Sequence, residues 1–259
     1  MFPVTHIWFG ERVLGKLNNM GILGTIFPDM VISGCFSHEE THRAGWKLFD
    51  FLVSKDEYFR PFALGTITHG VNPTGLDYFG DEKFPGGEKG YCFQKAEIIK
   101  NKVIEACNIP EEFGLWKGHN FIEMAIEMEI YDKNIDIDYR MKSALADKYE
   151  ITKISRALAE YYLLNSEDVS HCIDQFGKYV ELENPSSSSL AFKYDLQMIK
   201  KHGISIDIKK STKIIEESRE IIKEDIFDFF DFAENEVKKI IKNKGDFEKN
   251  ILSCDMKRF

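Results

Sequence analysis

Apolar residues recur at helical spacing through almost the whole of this 259-residue chain, and the alternation that marks a half-buried strand is nearly absent. The three- and four-residue rhythm runs over Phe93 to Cys107, His119 to Tyr131, Tyr139 to Tyr149, Ile154 to Leu164 and Glu167 to Val180. It continues over Ala191 to Lys201 and Ser211 to Ile241, the latter reading as one long amphipathic helix with Ile214, Ile215, Ile222, Phe229 and Phe230 on its apolar face. A chain of this kind has to bury helix against helix, so an all-α helical bundle is the expected fold. The run Pro185 to Ser189 is the clearest interruption. It divides residues 1–184 from a C-terminal helical extension, residues 185–259, expected to pack on them.

The most demanding of these helices contains Gly118-His119-Asn120-Phe121-Ile122-Glu123-Met124-Ala125-Ile126-Glu127. Apolar residues surround it almost completely, which predicts burial. His119 and Glu123 stand one turn apart, so imidazole and carboxylate project side by side and can close on one divalent ion. A buried carboxylate needs a partner, and a metal ion is one solution. A His–Glu hydrogen bond that only packs is the other.

Further candidates lie upstream. Thr5 reads as an N-cap, with His6, Phe9, Val13 and Leu17 on one helical face and His6 pointing inward. Asp29 follows Pro28 in the glycine-broken apolar segment Gly21 to Ile32. A buried aspartate there is either a metal ligand or a turn cap. Ser37 and Glu40 have capping-box spacing. The same run, His38-Glu39-Glu40-Thr41-His42, spells His-Glu-x-x-His, which in metalloproteases holds zinc with the glutamate as general base. Here it sits at a helix entrance instead of mid-helix, and Leu48 occupies the position of the third metzincin histidine. Tyr58 through roughly His69 reads as a helix. Gly70 to Gly90, rich in glycine and proline, reads as a long mobile loop that either covers a site, with Asp77 and its aromatic neighbours, or is a disordered insertion.

No apolar run is long enough to span a bilayer, and the N-terminus lacks an export-signal pattern, so the expectation is a cytoplasmic protein without a transmembrane segment. The five cysteines are scattered without Cys-x-x-Cys spacing, which predicts reduced thiols. A net charge of −9, distributed along the chain, argues against double-stranded nucleic acid as a partner. Lys238, Lys239 and Lys242 to Lys244 form the one basic cluster, expected to be a solvated helix face.

In order, Thr5-His6, Pro28-Asp29, His38/His42, Gly65-Thr66-Ile67-Thr68-His69 and Gly118-His119-Asn120-Phe121-Ile122-Glu123 form a succession that resembles the zinc-dependent phospholipase C family, related to zinc nucleases of single strands. The resemblance covers about Thr5 to Glu127. It implies an all-helical fold of that type, with residues 1–184 as the metal-binding domain, and phosphoester hydrolysis in a cleft holding up to three zinc ions. By position it implies His6, Asp29, His42 or His38, and His69 as ligands, with His119 and Glu123 as the terminal pair of a second metal. This chain departs from the family in three places. Pro73 stands where the family has an aspartate four residues after the histidine matched by His69, leaving Asp77 as the nearest substitute; no histidine lies between His69 and His119; and five residues precede His6. The resemblance therefore implies one or two zinc ions instead of a full three. Asp29, His42 and His69 would make one site, and His119 with Glu123 a second that needs Asp77, Glu127, His38 or a water.

The expected activity is zinc-dependent hydrolysis of a phosphoester, phospholipase C-like, with Asp29 or Asp77 orienting or deprotonating a water acidified by the metal. The contrasting expectation is a non-catalytic helical protein with a structural or vestigial metal site, acting through its C-terminal amphipathic helix.

Overall fold

A computed structural model describes residues 1–255, with side chains described to residue 245, and among these residues every regular element is helical. Helix α1 (Pro3–Leu14) opens with proline at its first turn, where the missing N–H has no intrahelical partner to lose. It thus starts earlier than the expected Thr5 cap. Thr5 lies inside the helix and gives its N–H and hydroxyl to Glu127.

Helix α2 (Asn19–Ile26), capped by the Asn18 side chain, runs into a 3-10 turn, Phe27–Ser33, that carries Asp29. The Ser37–Glu40 capping box starts the short α3 (His38–His42). Then come α4 (Gly45–Lys55) and α5 (Arg60–His69), which ends on a candidate ligand. Helices α6 (Tyr91–Cys107) and α7 (Gly114–Tyr131) pair along their length.

Two stretches expected as single helices are broken. Tyr139 to Tyr149 divides into α8 (Ile137–Ala146) and α9 (Lys148–Tyr162) at Asp147, whose carboxylate accepts from the Glu150 N–H and caps the second helix. Helix α10 (Ser166–Phe176) and α11 (Ser187–His202) follow, the latter opened by a Ser186 capping box. The expected long C-terminal helix is α12 (Ile208–Ile222) and α13 (Ile226–Asp255). The bend at residues 223–225 lets α12 pack on α6 and α7 while α13 turns its aromatic residues onto α1, with Phe230 4.7 Å from Trp8 between ring centroids. A straight helix would have reached one of these surfaces and missed the other.

One apolar core joins all of this, with Phe9, Phe27, Phe62, Phe121, Phe176, Phe229 and Phe230 fully enclosed. The C-terminal helices share it, since α11 packs on α7 and α12. Two glycines allow α2 and α5 to touch through their backbones: a Cβ at Gly24 would lie 2.2 Å from the Phe62 carbonyl oxygen, and one at Gly65 would lie 2.7 Å from the Thr25 nitrogen.

The glycine-rich segment after α5 is tied down, contrary to the expected mobile or disordered loop. The His42 carbonyl accepts from the N–H groups of Val71 and Asn72, Tyr78–Glu82 forms a π-helical turn, and the Gly90 N–H closes back on Asp81. Leu76, Asp77 and Phe79 are buried, and Phe79 and Phe84 pack against Phe232 and Phe229 of α13. These contacts supply the apolar burial that a polar reading of the segment overlooks.

Cys35 and Cys172 are joined in a disulfide, correcting the expectation of reduced thiols throughout; 137 residues separate them in sequence. Cys92 and Cys107 are free and buried, and the side chain of Cys254 lies outside the described residues. Lys238, Lys239 and Lys244 pair with Glu234, Glu236 and Asp50. Among the described residues no helix is long and apolar enough to cross a membrane.

Candidate metal centre

The buried end of α7 organises the centre. Glu127, one turn beyond Glu123, accepts from the Val4 N–H, the Thr5 N–H and the Thr5 hydroxyl at 2.7–2.8 Å, satisfying donors that open the first turn of α1. This fixes the start of the chain against α7. Consequently the Met1 ammonium lies between two carboxylates, 2.9 Å from Asp77 and 3.1 Å from Glu123, and His6 projects to the same place.

Asp77 is the hub. One carboxylate oxygen faces Met1 and the His6 Nε2 at 3.3 Å; the other faces the Nε2 atoms of His69 at 3.0 Å and His42 at 3.4 Å. Asp29 closes the ring from the cleft side, 3.8–3.9 Å from the Nε2 atoms of His6, His42 and His69. The imidazoles of His6 and His69 stack with centroids 3.4 Å apart.

Outer contacts fix which nitrogen of each ring looks inward. The His69 Nδ1 is 2.6 Å from the Thr25 carbonyl oxygen, and a carbonyl only accepts, so Nδ1 carries the proton and Nε2 keeps its lone pair. For His42, Nδ1 reaches the His38 carbonyl at 3.2 Å and the Thr41 hydroxyl at 3.0 Å; that hydroxyl in turn donates to the Pro28 carbonyl. The same hydrogen bonds thus orient His42 and tether it to the turn that holds Asp29.

Electrostatics separate the two aspartates. Burial alone would raise the Asp77 carboxyl, but the Met1 ammonium, His69 and His6 outweigh it and hold the group well below the usual range. Asp29 is shifted the other way: burial raises it, opposed by His69. For His69, burial alone would lower the value, but Asp77 and Asp29 raise it, whereas His6 is pushed well down by burial and by His69. Burial also lowers His119.

A second group lies across the Met1 ammonium. Asp81, Cys92 and Glu123 bring one donor atom each to within 4.8 Å of one another. Burial and the neighbouring Glu123 push the Asp81 carboxyl well above its ordinary value. His119 stacks on Phe93 at 4.4 Å, and its Nε2 is met at 2.7 Å by the Asn120 amide nitrogen, which also reaches Glu123 at 3.4 Å. Tyr194 fixes that amide by donating to its oxygen at 2.8 Å. In the structure, then, the His119–Glu123 pair is spanned by an N–H donor.

The residues fit a divalent cation by the chemistry of their donors. His42, His69 and Asp77 form one three-ligand group, and His6, Asp29 and His69 another. The Nε2 atoms of His6 and His69 are aimed at the carboxylates of Asp77 and Asp29 and, among the described residues, at no other group, the arrangement of donors around a shared cation. Two imidazoles with two carboxylates suit zinc, and the Asp29 side opens to a cleft of about 220 Å³.

Of the residues singled out in the sequence, the fold brings His6, Asp29, His42, His69 and Asp77 together, with Glu123 adjoining through Met1 and His119 on the same cleft wall. His38 is exposed and stacks on His42 at 3.7 Å without joining a donor group. Glu39 pairs with Arg43 at the surface, so the base required by the metalloprotease reading is not in the cleft. Glu127 serves α1 and supplies no donor to the second group. Asp81 fills the position for which the sequence offered other residues; its four-residue spacing from Asp77 was the available signal. Comparison of this chain with protein-family models, with curated proteins and with solved structures finds no match.

Proposed function

We propose that the chain is a zinc-dependent phosphoester hydrolase, similar in kind to zinc-dependent phospholipase C, with residues 1–184 as its metal-binding part and a C-terminal part, from residue 185, whose helix α11 lines the cleft. The observation that carries this reading is the convergence of Asp29, His42, His69 and Asp77, four donors from four separate segments, with N···O distances of 3.0–3.9 Å between the two imidazoles and the two carboxylates. Two outer carbonyls already hold the imidazoles in the tautomer that offers Nε2.

Bound zinc supplies a Lewis acid that brings the pKa of water to about 7 and neutralises phosphoryl oxygens. In the hydrolysis, the bond from water oxygen to phosphorus would form as the ester P–O bond breaks, and the proton removed from the water would return to the departing oxygen so that it leaves as the alcohol. With His42, His69 and Asp77 as the ligands, Asp29 would take the water proton, because it lines the cleft beside them. Asp77, buried and held anionic, anchors the histidines and keeps the site negative enough to retain a cation.

The test is elemental analysis of the purified chain together with a panel of phosphodiesters and phosphomonoesters. One or two zinc ions per chain and chelator-sensitive hydrolysis are expected. A chain without metal that hydrolyses nothing before or after zinc addition overturns the reading.

A second reading is favoured by one observation: the Met1 ammonium and the Asn120 amide already join the acceptors that a second cation would join. It describes a non-catalytic protein with a single structural metal, for which chelation lowers the melting temperature and no phosphoester is cleaved. For the compartment, the Cys35–Cys172 disulfide weighs against the cytoplasm expected from sequence, since such bonds persist in oxidising surroundings.

A further inference from the structure

We infer that Lys117 of α7, with Lys201 and His202 of α11, forms an anion subsite on the rim of the cleft that takes a second phosphate of the substrate. This rests on the hydrolase reading above and deepens it by naming what the substrate carries beyond the scissile ester.

Lys117 is 7 % exposed, its Nζ lies 2.8 Å from the His202 Nε2 and 3.8 Å from the centre of the Trp116 ring, and among the described residues no carboxylate pairs with it. A buried ammonium without an anion is costly, and of its three donors the imidazole takes one. Lys201 lines the same cleft and likewise pairs with no carboxylate among the described residues. Several other lysines do meet a carboxylate, among them Lys95 with Asp225, Lys102 with Glu217 and Lys210 with Glu105. Two lysines left unneutralised beside the candidate centre form a charge arrangement that an incoming anion completes.

Beside Lys201 and His38 the lining is apolar, built from Val31, Phe36 and Trp116. A substrate with two anionic groups separated by a less polar spacer matches this layout, with the ester phosphate at Asp29 and the second phosphate at Lys117 and Lys201. A cationic head group, such as a quaternary ammonium, meets like charge at the rim and is disfavoured.

The experiment uses the full chain loaded with zinc and two pairs of substrates that differ by one phosphate. The soluble pair is a thymidine dinucleotide with and without a 5′-phosphate; the lipid pair is phosphatidylinositol 4-phosphate and phosphatidylinositol in mixed micelles. Expected is a kcat/KM preference of at least about tenfold for the additional phosphate in one pair, the scale of a charge-assisted contact, expressed mainly in KM. The pair that shows it identifies the source as soluble or lipid. In Lys117→Met and Lys201→Met, which keep most of the side-chain stem, the preference falls to about one. Lys201 is exposed, so its variant tests the idea even where Lys117→Met fails to fold.

A preference near one in wild type for both pairs, or an undiminished preference in Lys201→Met, overturns the inference. If no member is hydrolysed, the same pairs are titrated by calorimetry. A retained binding preference then removes the hydrolase reading and keeps the subsite, and its absence removes the subsite.

Discussion

His69 donates its Nδ1–H to the Thr25 carbonyl over 2.6 Å, across the contact where α2 and α5 meet backbone to backbone. That one bond ties the protonation of a candidate ligand to the packing of two helices far from the cleft mouth, and it depends on Gly24 and Gly65 having no side chain.

Gly65→Ala is the direct consequence to check. A methyl group 2.7 Å from the Thr25 nitrogen forces α2 away from α5, costing about 1–3 kcal/mol as overpacking does. The displaced carbonyl releases His69, so zinc affinity should fall about 10- to 100-fold, the usual effect of losing an outer-shell partner. Urea midpoints and a competitive zinc titration measure the two effects. Destabilisation with unchanged affinity would show that the carbonyl does not orient the ring.

Replacing the ligands themselves gives a sharper result. His69→Ala and His42→Ala should each lose bound zinc and lower hydrolysis by at least about a hundredfold, while far-ultraviolet circular dichroism stays helical. His38→Ala, altering an exposed ring outside the donor groups, should keep its metal. Elemental analysis of the three variants checks this, and full zinc in either of the first two counts against the centre.

Asp81→Asn addresses the second group. If Asp81, Cys92 and Glu123 hold an ion, the variant binds one zinc fewer than wild type and leaves the Asp77-centred site loaded. Native mass spectrometry counts the ions directly. Equal stoichiometry in wild type and variant means that the second group is a hydrogen-bonded cluster.

Glu127 supplies a pH signature. Burial raises its carboxyl from an ordinary 4.5 to about 7, although Thr5 and Val4 donate to it. The folded chain therefore holds this proton more tightly than the unfolded chain. The stability it contributes is complete below about 4.5 and is lost as pH rises through about 7, a change on the order of 3 kcal/mol. Glu127→Gln, neutral throughout, should lack that decline. Urea unfolding in chelator at pH 5 and pH 8 compares them, and parallel pH profiles would refute the assignment.

The share of this protein that the sequence determines is its local part. Helical spacing, the Ser37–Glu40 capping box and the one-turn interval between His119 and Glu123 are set by three- and four-residue geometry, so they can be read directly and recur in the fold. Tertiary structure decided what depends on distant partners. Asp77 sits in a segment whose glycines and prolines look like solvent-exposed loop, and only the anchoring of Val71 to His42 and of Phe79 to α13 buries it among three histidines. The bend at residues 223–225, the Cys35–Cys172 bond and the use of Glu127 to start α1 have the same character, because each joins surfaces that no local period connects. A short-range pattern fixes how a segment coils, whereas the partner of a buried charge is fixed by which helices exclude water around it.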